Sequence, residues 1–169
     1  MTLVRVLIVR HAQAEPQGTR GVADADRALT PDGERRFRGA ARTIARLMPP
    51  PDTLLTSPLL RARQTAALLA DAWGGIEPAA ERALGSGSVD AIINILEGHP
   101  SSASVVLVGH EPMVSRLVIE GLGVMSSDAI AFGTGGAALL EASMPFRRNA
   151  RLVWFLPAEL LPTSSAAAQ

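Results

Sequence analysis

The 169-residue chain contains no cysteine. That absence removes disulfides, thiolate nucleophiles and Cys-ligated zinc or iron–sulfur clusters, and with them the cysteine-dependent phosphatases. Lysine is missing as well: all 16 basic residues are arginine, which excludes a Walker-type lysine, a Schiff-base lysine and a lysine clamp on phosphate. Any phosphate grip must come from Arg, His, hydroxyls or backbone N–H. Net charge is absent too, because 16 basic and 16 acidic residues cancel, and a general nucleic-acid binder needs a strongly basic face. Anion binding must then be local. No run of about 18 apolar residues exists, and Val6–Val9 is too short and too closely flanked by Arg5 and Arg10 for a secretory signal, although Ala12-Gln13-Ala14 imitates a cleavage site. The expectation is a soluble, cytoplasmic protein that binds neither nucleic acid nor membrane.

What is present is enough apolar residue, 47%, to bury one ordinary core at this length. The reading is a single domain over 1–162 and a disordered tail over 163–169, "TSSAAAQ". Leu3–Val9 has the near-continuous apolar character of a parallel strand buried on both faces. Thr30-Pro31-Asp32 starts a helix whose Phe37, Ala41, Ile44 and Met48 share a face, and Pro49–Pro51 stops it. Thr53–Thr56 is a short strand; Ser57-Pro58 then predicts a cap and helix start ahead of Leu59, Ala62, Ala66, Leu69 and Trp73. Val89, Ile92, Ile93 and Leu96 mark another helix, Val105–Val108 a third buried strand, and Val114, Leu117 and Val118 the helix after it. Ala137–Glu141 and Leu152–Leu156 read as strands with no helix between them, so one edge is antiparallel. The predicted fold is a three-layer α/β/α sandwich around a mostly parallel sheet with an antiparallel edge strand.

In open α/β sheets ligands sit beyond the carboxyl ends of the strands, where strand order reverses. Arg10 and His11 follow the first strand, Ser57 and Arg61 the second, and His110 the third. Two imidazoles and two guanidiniums converging with helix N-termini would suit a phosphoryl group. With Cys and Lys gone, a neutral imidazole is the strongest remaining nucleophile near pH 7, and His11 is the candidate. Arg10 and Arg61 would bond the phosphoryl oxygens bidentately, with His110 donating as an imidazolium. Nothing in this chemistry calls for a metal or a cofactor.

"RHA" after the first strand, "TSPLLRARQTA" after the second and "VGHEPMVS" after the third resemble the histidine phosphatase superfamily, from Val4 to about Ser115 and more weakly across "FGTGGAALLE". "RALTPDGERR", the wording "SPLLRARQT" and the short length resemble its SixA-type phosphohistidine phosphatases. The resemblance implies that His11 is phosphorylated, that Arg10, Arg61 and His110 hold the phosphoryl group, and that Gln13 and Ser57 line the substrate site. Ala12 stands where the family more often has Gly, a feature shared with the SixA branch. The family's acid is harder to place, with Glu81 and Asp90 as candidates and Glu81 the possible proton donor. An imidazole leaves more easily than an alkoxide, so a weak acid points toward N-phosphorylated substrates. Little chain is spare for a lid, and an open crevice would admit phosphohistidine on a partner such as a histidine phosphotransfer protein.

Three readings stay open: a metal-independent phosphohistidine phosphatase, a general phosphomonoesterase for small metabolites, and a catalytically silent phosphoryl-binding module. "DADRA" at Asp24–Ala28 is set apart from the aspartate-nucleophile phosphatases because it follows a loop, not a buried strand; Asp24 and Asp26 are expected in solvent or beside Arg27. His99 belongs to a turn, and "GSGS" and "GTGG" read as turns, with Thr134 near the site.

Overall fold

Val6, Leu7, Ile8 and Val9 have no exposed surface, because each side of the strand they occupy is covered by helices. In a computed structural model that describes residues 3–157, apart from 102 and 127, this strand is β1 (Val4–Arg10). The tail expected from 163 onward lies outside the described residues. The remaining strands are β2 (Thr53–Thr56), β3 (Ala79–Ala80), β4 (Ser104–Gly109), β5 (Ala137–Ala142) and β6 (Ala150–Leu156). They form one sheet in the order β3-β2-β4-β1-β5-β6. β1, β2, β3 and β4 pair in parallel, whereas β5 runs antiparallel to β1 and β6 antiparallel to β5. With no helix between β5 and β6, β6 turns back antiparallel along β5.

Helices α1 (Pro31–Leu47) and α2 (Leu60–Ala72) pack on one face, bringing Phe37, Ile44 and Leu69 against Leu7 and Val9. α3 (Arg82–Ser86), α4 (Val89–Glu97) and α5 (Met113–Leu122) cover the other, where Leu84, Ile92 and Leu117 meet Val6 and Ile8. The result is the expected three-layer sandwich. No described helix is long and apolar enough to cross a membrane.

β1 and β4 are neighbours in register, Arg10 opposite Gly109, yet the chain leaves β1 toward α1 on one face and β4 toward α5 on the other. That divergence opens a crevice at their carboxyl ends. α1 begins as its sequence predicts: the Thr30 hydroxyl accepts from the Gly33 amide at 3.0 Å with Pro31 at the first position, a cap worth about 1 kcal/mol.

Two local expectations need correction. Ser57 does not cap α2, which starts at Leu60 behind an extended Leu59 with no side-chain cap. The Ser57 hydroxyl is taken instead by His110, as described below. The "GSGS" segment is more than a turn: Gly85 and Ser86 end α3, Gly87 caps it at φ 74°, and Ser88 caps α4 by accepting from Ala91.

Candidate active site

β1 delivers Arg10 and His11 to the crevice and neighbouring chain ends fix them there. The His11 amide donates to the Gly109 carbonyl at 3.0 Å, tying the end of β1 to β4. Gly135, at φ 76°, donates to the His11 carbonyl at 2.9 Å, so the "GTGG" turn closes over the same strand end. The Ala12 amide donates to Thr65 Oγ1 at 3.0 Å, and that hydroxyl donates to the Arg61 carbonyl at 2.7 Å. Thr65 thereby couples the backbone after His11 to the first turn of α2. Ala12 is 2% exposed, so its methyl group fits the core beside the tight backbone.

The rings of His11 and His110 lie with centroids 5.0 Å apart. His11 Nδ1 is 2.7 Å from the Ala12 carbonyl; since a carbonyl only accepts, Nδ1 carries a proton, and in the neutral ring Nε2 holds the lone pair. His110 Nε2 is 2.7 Å from Ser57 Oγ, which also accepts from the Leu59 amide at 3.3 Å. With one lone pair engaged by Leu59, the hydroxyl keeps a second lone pair and its own proton for Nε2, so it partners the neutral ring and the imidazolium alike.

Burial dominates the electrostatics. His11 is pushed down to about 3, chiefly by desolvation; the bond to Ala12 opposes this and the charges of His110, Arg61 and Arg10 add to it. His110 is pushed down to about 4 by desolvation and then Arg61, with Asp24 opposing. Both rings are therefore neutral near pH 7 in the free site, His110 because its ring is desolvated and close to Arg61. A bound phosphoryl dianion would favour the charged form again. Arg61 is 6% exposed and its pKa is also lowered by burial, although a guanidinium stays charged.

Three buried nitrogens have no partner among the described residues: Arg10 Nε, Arg61 Nε and His110 Nδ1. Orphaned buried N–H groups are rare and costly in folded proteins. Here they come from the last residue of β1, the first turn of α2 and the residue after β4, all close enough to act on the His11 ring, a set suited to a tetrahedral oxyanion.

The structure thus brings His11, His110, Arg10, Arg61 and Ser57 together. Gln13 is exposed and lines a cavity of about 70 Å³ with Thr134 and Arg36. Glu81 stands at the carboxyl end of β3, its Oε1 accepting from the Ala83 amide at 2.9 Å as the cap of α3. Asp90 is on α4, ion-paired with Arg147, and His99 Nδ1 donates to the Ile95 carbonyl. Among the described residues no three His, Asp or Glu side chains are grouped to hold a metal ion.

Besides Thr65, sequence reasoning missed Glu111, and although it expected Asp24 in solvent or beside Arg27 it missed that Asp24 also holds Arg61. Glu111 Oε1 accepts from the Phe132 amide at 2.8 Å and from Ser115 Oγ at 2.5 Å, while the Phe132 carbonyl accepts from Arg10 Nη1 at 2.5 Å. Asp24 accepts from Arg27 and also from Arg61, through both its carbonyl and its carboxylate. The position of Glu111 beside His110 was a signal of sorts. Nothing local marked its partner.

Comparison with known proteins agrees with this geometry. The profile of the Histidine phosphatase superfamily (branch 1) matches residues 6–86. An uncharacterised protein of Picosynechococcus is 40% identical over 67% of this chain, and the match spans 65% of that relative's length, just under two thirds. An uncharacterised Mycobacterium tuberculosis protein is 34% identical over 80% of this chain and 87% of its own. The protein histidine phosphatase SixA, solved with tungstate, superposes with a TM-score of 0.80 at 25% identity, covering 91% of this chain and 97% of that one. A candidate phosphohistidine phosphatase SixA from Agrobacterium tumefaciens gives 0.78 at 28% identity, covering 90% and 96%. With its strand order, its paired histidines and these relatives in agreement, the chain belongs to the histidine phosphatase superfamily.

Proposed function

We propose that this protein is a phosphatase that works through a phosphohistidine on His11, without a metal, and that its substrate is phosphohistidine on another protein. The observation that carries the reading is the His11 ring, its Nδ1 engaged by the Ala12 carbonyl so that Nε2 is the nucleophilic nitrogen, facing His110 at 5.0 Å among three buried side-chain nitrogens without a partner. His11 Nε2 attacks phosphorus, the P–N bond to the substrate imidazole breaks, and that imidazole leaves with the bonding pair. Water then attacks the phosphorus on His11, the new P–N bond breaks, and inorganic phosphate departs. Arg10 and Arg61 offset the charge on the equatorial oxygens, and His110, charged once the dianion is bound, donates through its otherwise unpartnered Nδ1; such donors are each worth about 3 kcal/mol in a transition state. SixA, the similar structure bound to the oxyanion tungstate, supports the substrate class.

An alkoxide leaving group would need a proton. Glu81, at the site edge but engaged as a helix cap, is the side chain a phosphomonoesterase would recruit, and an imidazole substrate makes less demand on it. The test is a substrate panel on the full chain: a phosphorylated histidine phosphotransfer domain against sugar phosphates. Preference for the former, acid-labile and base-stable phosphate on His11 after a rapid quench, and His11→Ala below roughly a tenth of the wild-type rate are expected. Chelator should leave the rate unchanged. Preference for sugar phosphates with loss of activity in Glu81→Gln would indicate the phosphomonoesterase, and absence of any phosphoenzyme a silent binding module.

A further inference from the structure

The Asp24–Asp26 turn takes no part in the chemistry above, yet it grips one of the guanidiniums. Arg61 Nη1 donates to the Asp24 carbonyl at 2.7 Å and Nη2 to Asp24 Oδ2 at 3.2 Å. Arg27 braces the same carboxylate, with Nε 2.8 Å from Oδ1, and is itself anchored by Nη1 donating to the Glu15 carbonyl at 2.7 Å. A guanidinium offers an oxyanion two bidentate edges, the Nη1/Nη2 end or the Nε side. Asp24 occupies the first. The Nε–H of Arg61 remains, buried and without an acceptor. Arg10 is arranged alike: its Nη1 is spent on the Phe132 carbonyl and its Nε is buried and unspent.

We propose that Asp24 is a positioning residue of the phosphoryl site: it holds the Nη end of Arg61 so that the Nε edge receives the phosphoryl oxygens, and Arg27 keeps the Asp24 carboxylate in place. The inference rests on the phosphoryl reading given above. A carboxylate near an anion site has a second effect of opposite sign, because its charge repels the substrate. Exposure decides between them. The Asp24 side chain is 49% exposed and that of Arg61 7%, so solvent and salt weaken the repulsion, whereas the orientation of a nearly buried guanidinium depends on the few groups that touch it. Positioning dominates, and removal of Asp24 weakens phosphate binding in spite of removing a negative charge.

Binding of inorganic phosphate and of orthovanadate to the full chain, measured by calorimetry, tests this alongside KM and kcat on the phosphohistidine substrate and thermal melting. Asp24→Ala should weaken both oxyanions and lower kcat/KM roughly tenfold or more, the scale of a misplaced site group. Asp24→Asn retains an acceptor for one arginine and should fall between Asp24→Ala and wild type. Arg27→Ala should shift binding in the same direction by less, and Asp24→Glu should recover part of the loss. If Asp24→Ala melts early, Asp24→Asn and Arg27→Ala carry the test. Phosphate binding as tight as wild type, or tighter, in a folded Asp24→Ala or Asp24→Asn would overturn the positioning role. Failure of the wild-type protein to bind either oxyanion would instead sink the phosphoryl reading, and the clamp with it.

Discussion

Mild acid should destabilise this protein well above the range in which carboxylates titrate, and the two site histidines set the size of the loss. Each ring titrates near 6.5 when unfolded, but His11 is held at about 3 and His110 at about 4 in the folded chain, burial being the main cause for both. Below pH 6.5 the unfolded state therefore binds protons that the folded state refuses, and stability falls as pH falls. The loss begins near 6.5 and levels off only as the folded values are reached. At pH 5 each ring favours the unfolded state by about 2 kcal/mol, so the pair amounts to about 4 kcal/mol, a large share of the roughly 5–15 kcal/mol that holds a typical domain folded. Urea melts followed by Trp73 and Trp154 fluorescence at about pH 7.5, 6 and 5 would measure it. His11→Gln should halve the loss, and the double variant with His110→Gln should abolish this component. A wild-type loss below about 1 kcal/mol at pH 5, or an equal loss in the double variant, would refute the assignment of both rings as buried and neutral. The same shifts place the acid limb of kcat/KM well below 6.5, because His11 keeps its lone pair there.

Other perturbations probe the groups behind the quartet. Glu111→Ala removes the acceptor that holds the Phe132 amide and should lower kcat/KM about tenfold by freeing Arg10; Glu111→Gln, which keeps a carbonyl acceptor, should restore much of it, and steady-state kinetics on both variants check this. Gly33→Ala would place a methyl 2.2 Å from the Gln13 carbonyl oxygen, so the backbone after His11 must shift; about 1–3 kcal/mol of stability should go, read by urea denaturation, together with activity. Ser57→Ala takes away the hydroxyl on His110 Nε2 and should leave the fold intact while lowering kcat about tenfold, because the orientation of the ring is no longer fixed; an unchanged kcat in a pH profile would remove Ser57 from the mechanism.

Why some of this was legible in the sequence and some was not comes down to range. β1 could be read because Val6–Val9 is apolar without a break and both faces need covering. Arg10, His11, Arg61 and His110 could be read because they end a strand, follow one directly or open the helix after one, so local order alone places them on one edge. Ser57 was misassigned by the same kind of local evidence: Ser-Pro before a helix is a sound capping signal, but a histidine 53 positions away claims the hydroxyl. α3 escaped notice because five residues containing Gly85 carry too little periodicity to show. The carboxylates behind the arginines lie beyond any local pattern, since Asp24 meets Arg61 across 37 positions and Glu111 meets Phe132 across 21.

Charge state was the least legible property, and the reason is physical. His110 has the same neighbours in the sequence whether it is charged or neutral; what makes it neutral is the water it has lost and the guanidinium of Arg61, and both are products of folding. The residues that would bond substrate are therefore recognisable by type and place, whereas the protons on them are set by burial and, at His11, by the Ala12 carbonyl. For a nucleophilic imidazole that second layer decides reactivity, because a His11 ring with its proton on Nε2 would have the same position and no lone pair to offer there.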